Sequence, residues 1–502
     1  MSTPNDTETA PSRTGSIRMV IGSVAMLLLM AALDQTVVST ALPTIVSDLG
    51  GFEQLSWVVT AYILASTVAA PIYGKLGDIF GRRIMVFISV SIFLFGSLLC
   101  GFAGNMTFLI VARAIQGLGG GGLFVLALSV VGDVLSASER GKVQGMFAAV
   151  FSVSSMIGPL IGGWFVEVAS WHWIFLINVP VGIIAVAGFA LSFPAQTNTG
   201  HHKIDWAGAA ALTVTLAALT LVTSLGGHSF AWASVQSVGL GGLALFGLLA
   251  FLAIESRATE PLLPLSLFRG NVFRNTTILS FITGATMIGA ITFLPLYLQI
   301  ARGVTPMISG LLLAPMTLGI ILSTTISGRY MRMTGRYRLL SQIGMPIAAL
   351  GGLALTQISV DTSLWLFSGA LVLFGFGLGL NFSILTTAAQ NAVPRALLGT
   401  ATASGVMFRQ IGGSLAVAVF GAIMAARLAG SMGDAGSLAS EMAPQALAQL
   451  DPAIRETIAL TIVDAISPIY WAVAGLAIIG FVFASLLQEI PLANRMVSND
   501  KP

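Results

Sequence analysis

Charged residues are scarce in this sequence. Of its 502 residues, only 9% are Asp, Glu, Lys or Arg, whereas 56% are hydrophobic. A soluble domain usually carries about 25% charged residues. This shortage of charge excludes an ordinary water-soluble globular protein. Together with the long apolar runs that recur along the chain, it predicts a protein that crosses a lipid bilayer many times.

Cysteine is almost absent as well, and with Cys100 alone no intramolecular disulfide can form. The net charge is only +3, and the basic residues are spread over short loops, which excludes a nucleic-acid partner. The apolar segments hold neither a nucleophile–base pair nor a cluster of metal ligands. We therefore expect no enzyme activity, no metal site and no bound cofactor.

Fourteen apolar segments are long enough to cross a bilayer as helices. Because lipid supplies no water to satisfy an open sheet edge, the predicted fold class is an all-α membrane protein. The predicted spans are 19–43, 55–74, 84–104, 107–132, 142–166, 172–193, 206–225, 234–254, 273–299, 305–327, 338–358, 363–388, 399–424 and 466–487.

Lys and Arg are distributed unevenly between the two sides of the membrane. If the N-terminus is cytoplasmic, 18 of the 23 basic residues fall on the cytoplasmic side. The outer side then holds only Arg302, Arg427 and Arg455, and Arg113 and Arg409 lie within spans. The positive-inside rule therefore predicts that both termini are cytoplasmic.

Two loops repeat one pattern, with glycines seven residues apart and an arginine after the second. They are residues 74–83 and 328–336, and their alignment makes spans 1–6 and 9–14 two parallel halves. The predicted organisation is a disordered cytoplasmic tail (1–18), a six-helix bundle (19–200), an additional transmembrane pair (201–257), a second six-helix bundle (258–490) with a long outer loop (427–464), and a cytoplasmic tail (491–502).

Asp34 interrupts the first apolar span and is the only acidic residue deep within any predicted span. A carboxylate at mid-membrane costs about 2.5–3.5 kcal/mol on insertion scales, so it usually faces a bundle interior or a water-filled cavity. We therefore expect Asp34 to be a functional residue. The alternative is that it only fastens a neighbouring helix through a hydrogen bond.

Arg113 in span 4 is the expected partner of Asp34. Counted from the outer ends of their spans, the two residues lie about 12 and 13 Å deep at 1.5 Å per helical residue. A buried arginine needs a partner. Burial raises the pKa of a carboxyl group, whereas a nearby cation lowers it. The pair could therefore change its protonation as its surroundings change.

Several motifs agree with one family. Residues 74–83 (GKLGDIFGRR) resemble the signature loop of the major facilitator superfamily, and 113–117 (RAIQG) and 158–163 (GPLIGG) resemble its span-4 and exporter motifs. Residues 33–43 and 171–180 resemble the branch of fourteen-helix drug:proton antiporters. The chain departs from these patterns in having Ser154 and Ser39 where Gly and Asn are usual, and Arg332 where the first loop has Asp78.

The resemblance implies two six-helix bundles with two additional central helices. It also implies a secondary transporter in a bacterial cytoplasmic (inner) membrane that exports lipophilic or cationic small molecules in exchange for protons. The proton gradient would supply the energy, and we expect a monomer, with no accessory partner indicated. The alternative is a dedicated metabolite exporter or an importer on the same fold.

Three groups of site residues are expected. Proton coupling is assigned to Asp34 and Arg113. The candidates for substrate contact are Gln35, Trp57, Tyr62, Gln116, Asn178, Asn381 and Arg409. Conformational gating is assigned to Gly74, Asp78, Gly81, Arg82, Arg83, Gly158, Pro159, Gly162 and Gly163. Asp78 in particular can meet a helix N-terminus or an arginine and so hold the halves together.

Simpler explanations exist for several of these residues. The loop arginines could serve topology alone, and the glycines could serve ordinary helix packing. Trp57 could be an interfacial anchor, and Arg409 could be a structural lock or a side chain that extends along its helix towards the interface.

Overall fold

The computed structural model describes residues 13–51, 54–193, 204–227, 230–432 and 452–492. Within these ranges the chain is a series of helices with short connections, which confirms the predicted all-α fold class. Most of the two predicted tails lies outside the described residues, and so does the middle of the predicted outer loop.

Fourteen long helices, numbered here α1 to α14 in chain order, make up most of the described chain. Their bounds are Arg13–Leu49, Leu55–Phe80, Arg82–Gly101, Met106–Val134, Ala137–Val168, Asn178–Ser192, Trp206–Leu225, Val235–Glu255, Asn271–Leu296, Ala314–Thr334, Arg338–Leu355, Leu364–Asn391, Leu398–Met432 and Pro452–Leu486. Short helical segments precede α6 (Trp173–Leu176) and α10 (Pro306–Leu312), and a π-helical turn (Tyr297–Ala301) extends α9.

Thirteen segments of the described chain are long and apolar enough to cross a membrane. They correspond to every long helix except α5, whose side chains are described only in part. The 32 residues of α5 are also sufficient to span a bilayer, and the helix packs against α1 and α10. With α5 included, the described helices match the fourteen predicted spans.

Two sets of buried apolar side chains hold the helices together. One set joins α1 to α6 around Phe93, Leu126 and Phe189. The other joins α9 to α14 around Leu294 and Phe374. The two groups of helices meet where α2 packs against α13 and α5 packs against α10.

The additional pair, α7 and α8, packs on itself and against the outside of α2 and α13 through α7. Most of α8 is exposed, including the apolar side chains of Val238, Leu245, Phe246 and Leu249. An exposed apolar face on a spanning helix is the surface that lipid covers. The pair therefore lies at the periphery of the bundle.

Three helix ends extend beyond the predicted spans. Residues 13–18, expected to be a disordered tail, form the first turns of α1. Residues 427–432 and 452–464, expected to be an outer loop, are the end of α13 and the beginning of α14. Asp464 therefore lies in a helix, where its side chain is exposed. Helical hydrogen bonding continues past the apolar run because each added residue gains a backbone bond.

The contact between α1 and α5 depends on a glycine. A Cβ on Gly158 would collide with the side chain of Thr36, whereas a Cβ on Gly163 of the same helix would meet no atom within 4 Å. We expect Gly158→Val to lower the unfolding temperature of the detergent-purified protein, because overpacking typically costs about 1–3 kcal/mol. Gly163→Val is the matched control and should stay near the parent. Equal unfolding temperatures for the two variants would contradict this contact.

Candidate functional site

Asp34 of α1 and Arg113 of α4 form a buried ion pair. Asp34 Oδ2 lies 2.6 Å from Arg113 Nη1, and the two residues are only 2% and 1% exposed. The structure thus brings together the two charges whose depths matched in the sequence. Each charge has the partner that a buried ion requires.

The second oxygen of the carboxylate is held by two amides. Gln116 Nε2 of α4 donates to Asp34 Oδ1 at 2.7 Å, and Asn178 Nδ2 of α6 donates to the same oxygen at 3.0 Å. Both residues were expected to contact substrate. In this structure their amide groups are instead engaged with the proton-coupling candidate, and both side chains are buried.

Further groups, which the sequence did not single out, complete the network. Ser97 Oγ of α3 accepts from Gln116 Nε2 at 3.1 Å and from Asn178 Nδ2 at 2.9 Å, and it donates to the carbonyl of Phe175 at 2.9 Å. The Cys100 thiol lies 3.6 Å from Gln116 Oε1. One carboxylate is therefore connected to α1, α3, α4 and α6.

Arg113 has its own set of partners. Its Nε donates to the carbonyl of Val58 at 3.2 Å, and its Nη1 also donates to Gln116 Oε1 at 2.7 Å. The guanidinium carbon lies 4.3 Å from the centroid of the Tyr62 ring and 5.8 Å from that of Phe175. Aromatic faces stabilise a cation in this range. Tyr62 is 1% exposed, so it belongs to the ion-pair site and does not line an open cavity.

The network describes Asp34 in its ionised form. Both carboxylate oxygens accept hydrogen bonds, and their three partners, Arg113, Gln116 and Asn178, all donate N–H groups. A protonated carboxyl needs an acceptor for its own hydrogen. Protonation of Asp34 therefore requires at least one of these partners to move away, or an amide to rotate so that its oxygen faces the carboxyl group.

The other predicted substrate contacts are placed differently. Gln35 is exposed on α1 but its side chain interacts with Tyr62 at the edge of this site, and Trp57 of α2 is half-buried. Asn381 of α12 is fully buried, and it accepts from Ser341 Oγ at 2.6 Å and donates to the carbonyl of Gly377 at 3.3 Å. Contrary to expectation, Asn381 fastens α12 to α11 and is not placed to meet a substrate in this conformation.

A second polar cluster lies at the predicted cytoplasmic end and joins the two groups of helices. Asp78, at the end of α2, accepts hydrogen bonds from the backbone amides of Gly399 and Thr400 at 2.8 Å each and from Thr400 Oγ1 at 2.9 Å. These residues begin α13, whose N-terminus carries a partial positive charge. We call this contact the α13 latch.

The arginine that follows the loop completes the α13 latch. Arg82 pairs with Asp78, and its Nε lies 3.1 Å from Asp133 Oδ2 of α4. Gly81 has a positive φ of 88°, which favours glycine and allows the sharp turn between α2 and α3. Gly74 lies directly against Gly399 and Ala403, so α2 and α13 meet backbone to backbone.

The remaining gating candidates act within the first group of helices. Arg83 Nη2 donates to the carbonyl of Ala190 in α6 at 2.9 Å. Gly158 meets Thr36, Gly162 is buried, and Gly163 has open space around its Cα. The side chain of Pro159 lies outside the described part of the structure.

A further contact between the groups of helices involves residues that the sequence did not single out. Arg140 of α5 donates from Nη1 to Gln390 Oε1 of α12 at 3.2 Å and from Nη2 to the carbonyl of Gly132 at 2.6 Å. Gln390 Nε2 in turn donates to the carbonyl of Leu128 at 3.3 Å and to Thr402 Oγ1 at 2.8 Å. The helices are therefore connected at this end by two polar clusters.

The comparisons with known sequences agree with this geometry. Residues 24–417 match the family model of the Major Facilitator Superfamily. Multidrug transporter protein MdtP of Bacillus subtilis is 36% identical over 96% of this chain and 95% of its own length. Multidrug resistance protein 3 of the same organism is 34% identical over 95% of this chain and 96% of its own.

Solved structures share the fold. The human organic anion transporter MFSD10 aligns with a TM-score of 0.64, covering 95% of this chain and 100% of that one. The proton:xylose symporter XylE aligns with a TM-score of 0.63, covering 95% of this chain and 97% of that one. Each is only 13% identical to this chain, so the likeness concerns architecture alone.

We expect Asp78→Asn to open the predicted cytoplasmic end, because the neutral amide loses both the pairing with Arg82 and the attraction to the α13 N-terminus. A hydrogen bond to a charged group contributes about 1.5–3 kcal/mol, which corresponds to about tenfold or more in the open population. The measurement is the rate of maleimide labelling at Val406→Cys, a buried position on α13, in a Cys100→Ser background.

Asp133→Asn is the control for the α13 latch, because Asp133 contacts Arg82 but makes no described hydrogen bond to α13. It should accelerate labelling much less than Asp78→Asn. An unchanged labelling rate in Asp78→Asn would show that the latch does not hold this end closed.

Proposed function

Because this chain belongs to the major facilitator superfamily and is a multi-pass membrane transporter, we propose that it exports lipophilic or cationic small molecules in exchange for protons. The loop motifs that pointed to the family are confirmed by the family match and by the multidrug-transporter relatives. Proton exchange rests on the site described above.

The observation that carries the proposal is the set of partners around Asp34. In this conformation both carboxylate oxygens accept hydrogen bonds, from Arg113, Gln116 and Asn178. A proton can bind only if some of these contacts break. Proton binding and helix rearrangement are then thermodynamically linked, and coupling by alternating access requires such a linkage.

The position of the pair indicates what such a rearrangement would move. Asp34 belongs to α1, Arg113 and Gln116 to α4, and Asn178 to α6. Neutralising the carboxylate would weaken the attraction between α1 and the other two helices. In this conformation the α13 latch closes the predicted cytoplasmic end. We therefore propose that Asp34 exchanges its proton with the outer side of the membrane in this conformation.

The names of the relatives support drugs as cargo. We further propose export of toxic metabolites, a bacterial cytoplasmic (inner) membrane as location, both termini cytoplasmic and a monomer as the working unit. The proton gradient would be the energy source. A dedicated metabolite exporter or an importer is the alternative. Substrate movement in proteoliposomes under proton gradients of opposite sign separates export from import.

The first test replaces the carboxylate. Asp34→Asn keeps the size and one acceptor oxygen but cannot carry the proton, so we expect proton-driven flux of substrate in proteoliposomes to be lost while the protein still folds. Asp48→Asn, on the same helix but exposed at its far end, should transport like the parent. Parental proton-coupled flux in Asp34→Asn would rule out Asp34 as the coupling site.

The second test concerns Arg113. Its guanidinium favours the ionised carboxylate, so Arg113→Gln should make Asp34 bind its proton more readily. Substrate-induced proton release should then occur at higher pH than in the parent. In an Asp34→Asn background the same change should have no effect on proton release, since coupling requires both partners.

A purely structural Arg113 would give a different pattern. Its replacement would then lower the unfolding temperature to the same extent in both backgrounds and leave the pH of proton release unchanged. An unchanged midpoint in well-folded Arg113→Gln would therefore refute the pairing as the control of protonation.

A further inference from the structure

Arg409 lies about three turns from the beginning of α13, and its charge is not balanced by a protein group among the described residues. The carbon of its guanidinium lies 5.3 Å from the centroid of the Phe382 ring of α12. Among the described residues, that guanidinium makes no hydrogen bond and no ion pair. A charged side chain within a transmembrane bundle is costly, and when it has no protein partner it is a candidate binding group.

The exposed part of Arg409 faces the interior of the bundle. Thr402 and Ala416, seven residues before and after it, lie on the same face of α13 and are only 2% and 7% exposed. Arg409 and Phe382 are both half-buried between these closed contacts. Their exposed surface therefore belongs to an internal gap, since a lipid-facing stripe would also expose Thr402 and Ala416.

In depth, the gap lies between the Asp34 site and the cluster around Gln390 at the predicted cytoplasmic end. Thr402 contacts Gln390 at the closed end, and Arg409 is seven residues further along α13, or about 10 Å. On α4, Arg113 is fifteen residues from Leu128, whose carbonyl also contacts Gln390, which is about 22 Å. Arg409 therefore borders the gap at about 10 Å in depth from the closed end, and it lies about 12 Å in depth from the Asp34 site.

The local charge selects the kind of group that can bind. Asp34 and Arg113 neutralise each other, whereas the described structure gives Arg409 no counter-charge. The Phe382 ring covers one face of the guanidinium and leaves the N–H groups at its edge available. A guanidinium edge matches the two oxygens of a carboxylate or sulfonate, and its positive charge disfavours a simple cation.

We propose that Arg409 and Phe382 form a subsite for the anionic group of an amphiphilic substrate, with the apolar body of that substrate in the gap beside them. The inference rests on the proposed transport function and narrows it on one point, which is that the lipophilic substrates using this subsite carry an acidic group. Lipophilic molecules that carry a carboxylate or sulfonate fit this subsite, and lipophilic cations without an acidic group do not.

Binding of a matched pair of probes tests the subsite without requiring proton coupling. The probes share one naphthalene body and carry either a carboxylate or a quaternary ammonium group. Their affinities for the full detergent-purified chain are measured by tryptophan fluorescence. We expect the carboxylate probe to bind about tenfold more tightly than the ammonium probe, as one charge-assisted contact would provide.

The variants assign that preference to Arg409. Arg409→Gln should remove the preference, and Arg409→Lys should keep most of it because the charge remains. Arg332→Gln removes the same charge from an exposed position in the last turn of α10 and should bind both probes like the parent. Without ligand, Arg409→Gln should unfold at or above the parent temperature, because an unpartnered charge has been removed.

Three results would overturn the proposal. They are equal affinities of the parent for the two probes, an undiminished preference in Arg409→Gln, and destabilisation or misfolding of Arg409→Gln, which would make Arg409 a structural residue. A failure of the transport proposal would be seen separately, as the expected probe preference without any proton-driven movement of substrate in proteoliposomes.

Discussion

A carboxylate and a guanidinium inside a bilayer must each be neutralised, and in this protein Asp34 and Arg113 neutralise one another. Removing one partner of a buried pair typically costs about 3–5 kcal/mol, because the other charge is left alone. The surrounding groups follow from that constraint: two amides donate to the second oxygen of Asp34, and Tyr62 covers the cation. The first group of helices is thus arranged around a charge pair that is stable only while its geometry is intact.

The α13 latch also uses a carboxylate and an arginine, but it joins the two groups of helices to each other. Asp78 places its charge on the N-terminus of a helix from the other half of the chain, and Arg82 balances it. The side chains of Asp78 and Arg82 are each only 3% exposed, so water reaches them only when α2 and α13 separate. The latch and the Asp34–Arg113 pair are therefore both sealed in this conformation, and each changes only when helices move apart.

Much of this arrangement could be predicted from the sequence, for reasons that differ between residues. The depth match of Asp34 and Arg113 followed from counting helical residues, and the role of Asp78 followed from its place in a recognised loop. Ser97 and Gln390 were missed because a serine and a glutamine in apolar or small-residue runs look like packing residues. Phe175 lay in the motif 171–180, but the motif alone gave it no role. The contact between Arg140 and Gln390 joins residues 250 positions apart, which only tertiary structure brings together. Hydropathy also ended α13 too early and began α14 too late, because apolarity measures membrane depth and not helix length.

One helix carries both the latch contact and the unbalanced arginine. The α13 helix runs from Leu398 to Met432; its first residues receive Asp78, and Arg409 follows three turns later. A helix of this length behaves as a stiff rod over such a distance, so a tilt of its end displaces its middle. α13 thus couples the two positions mechanically. A molecule beside Arg409 contacts the same rigid helix whose N-terminal end is held or released by Asp78.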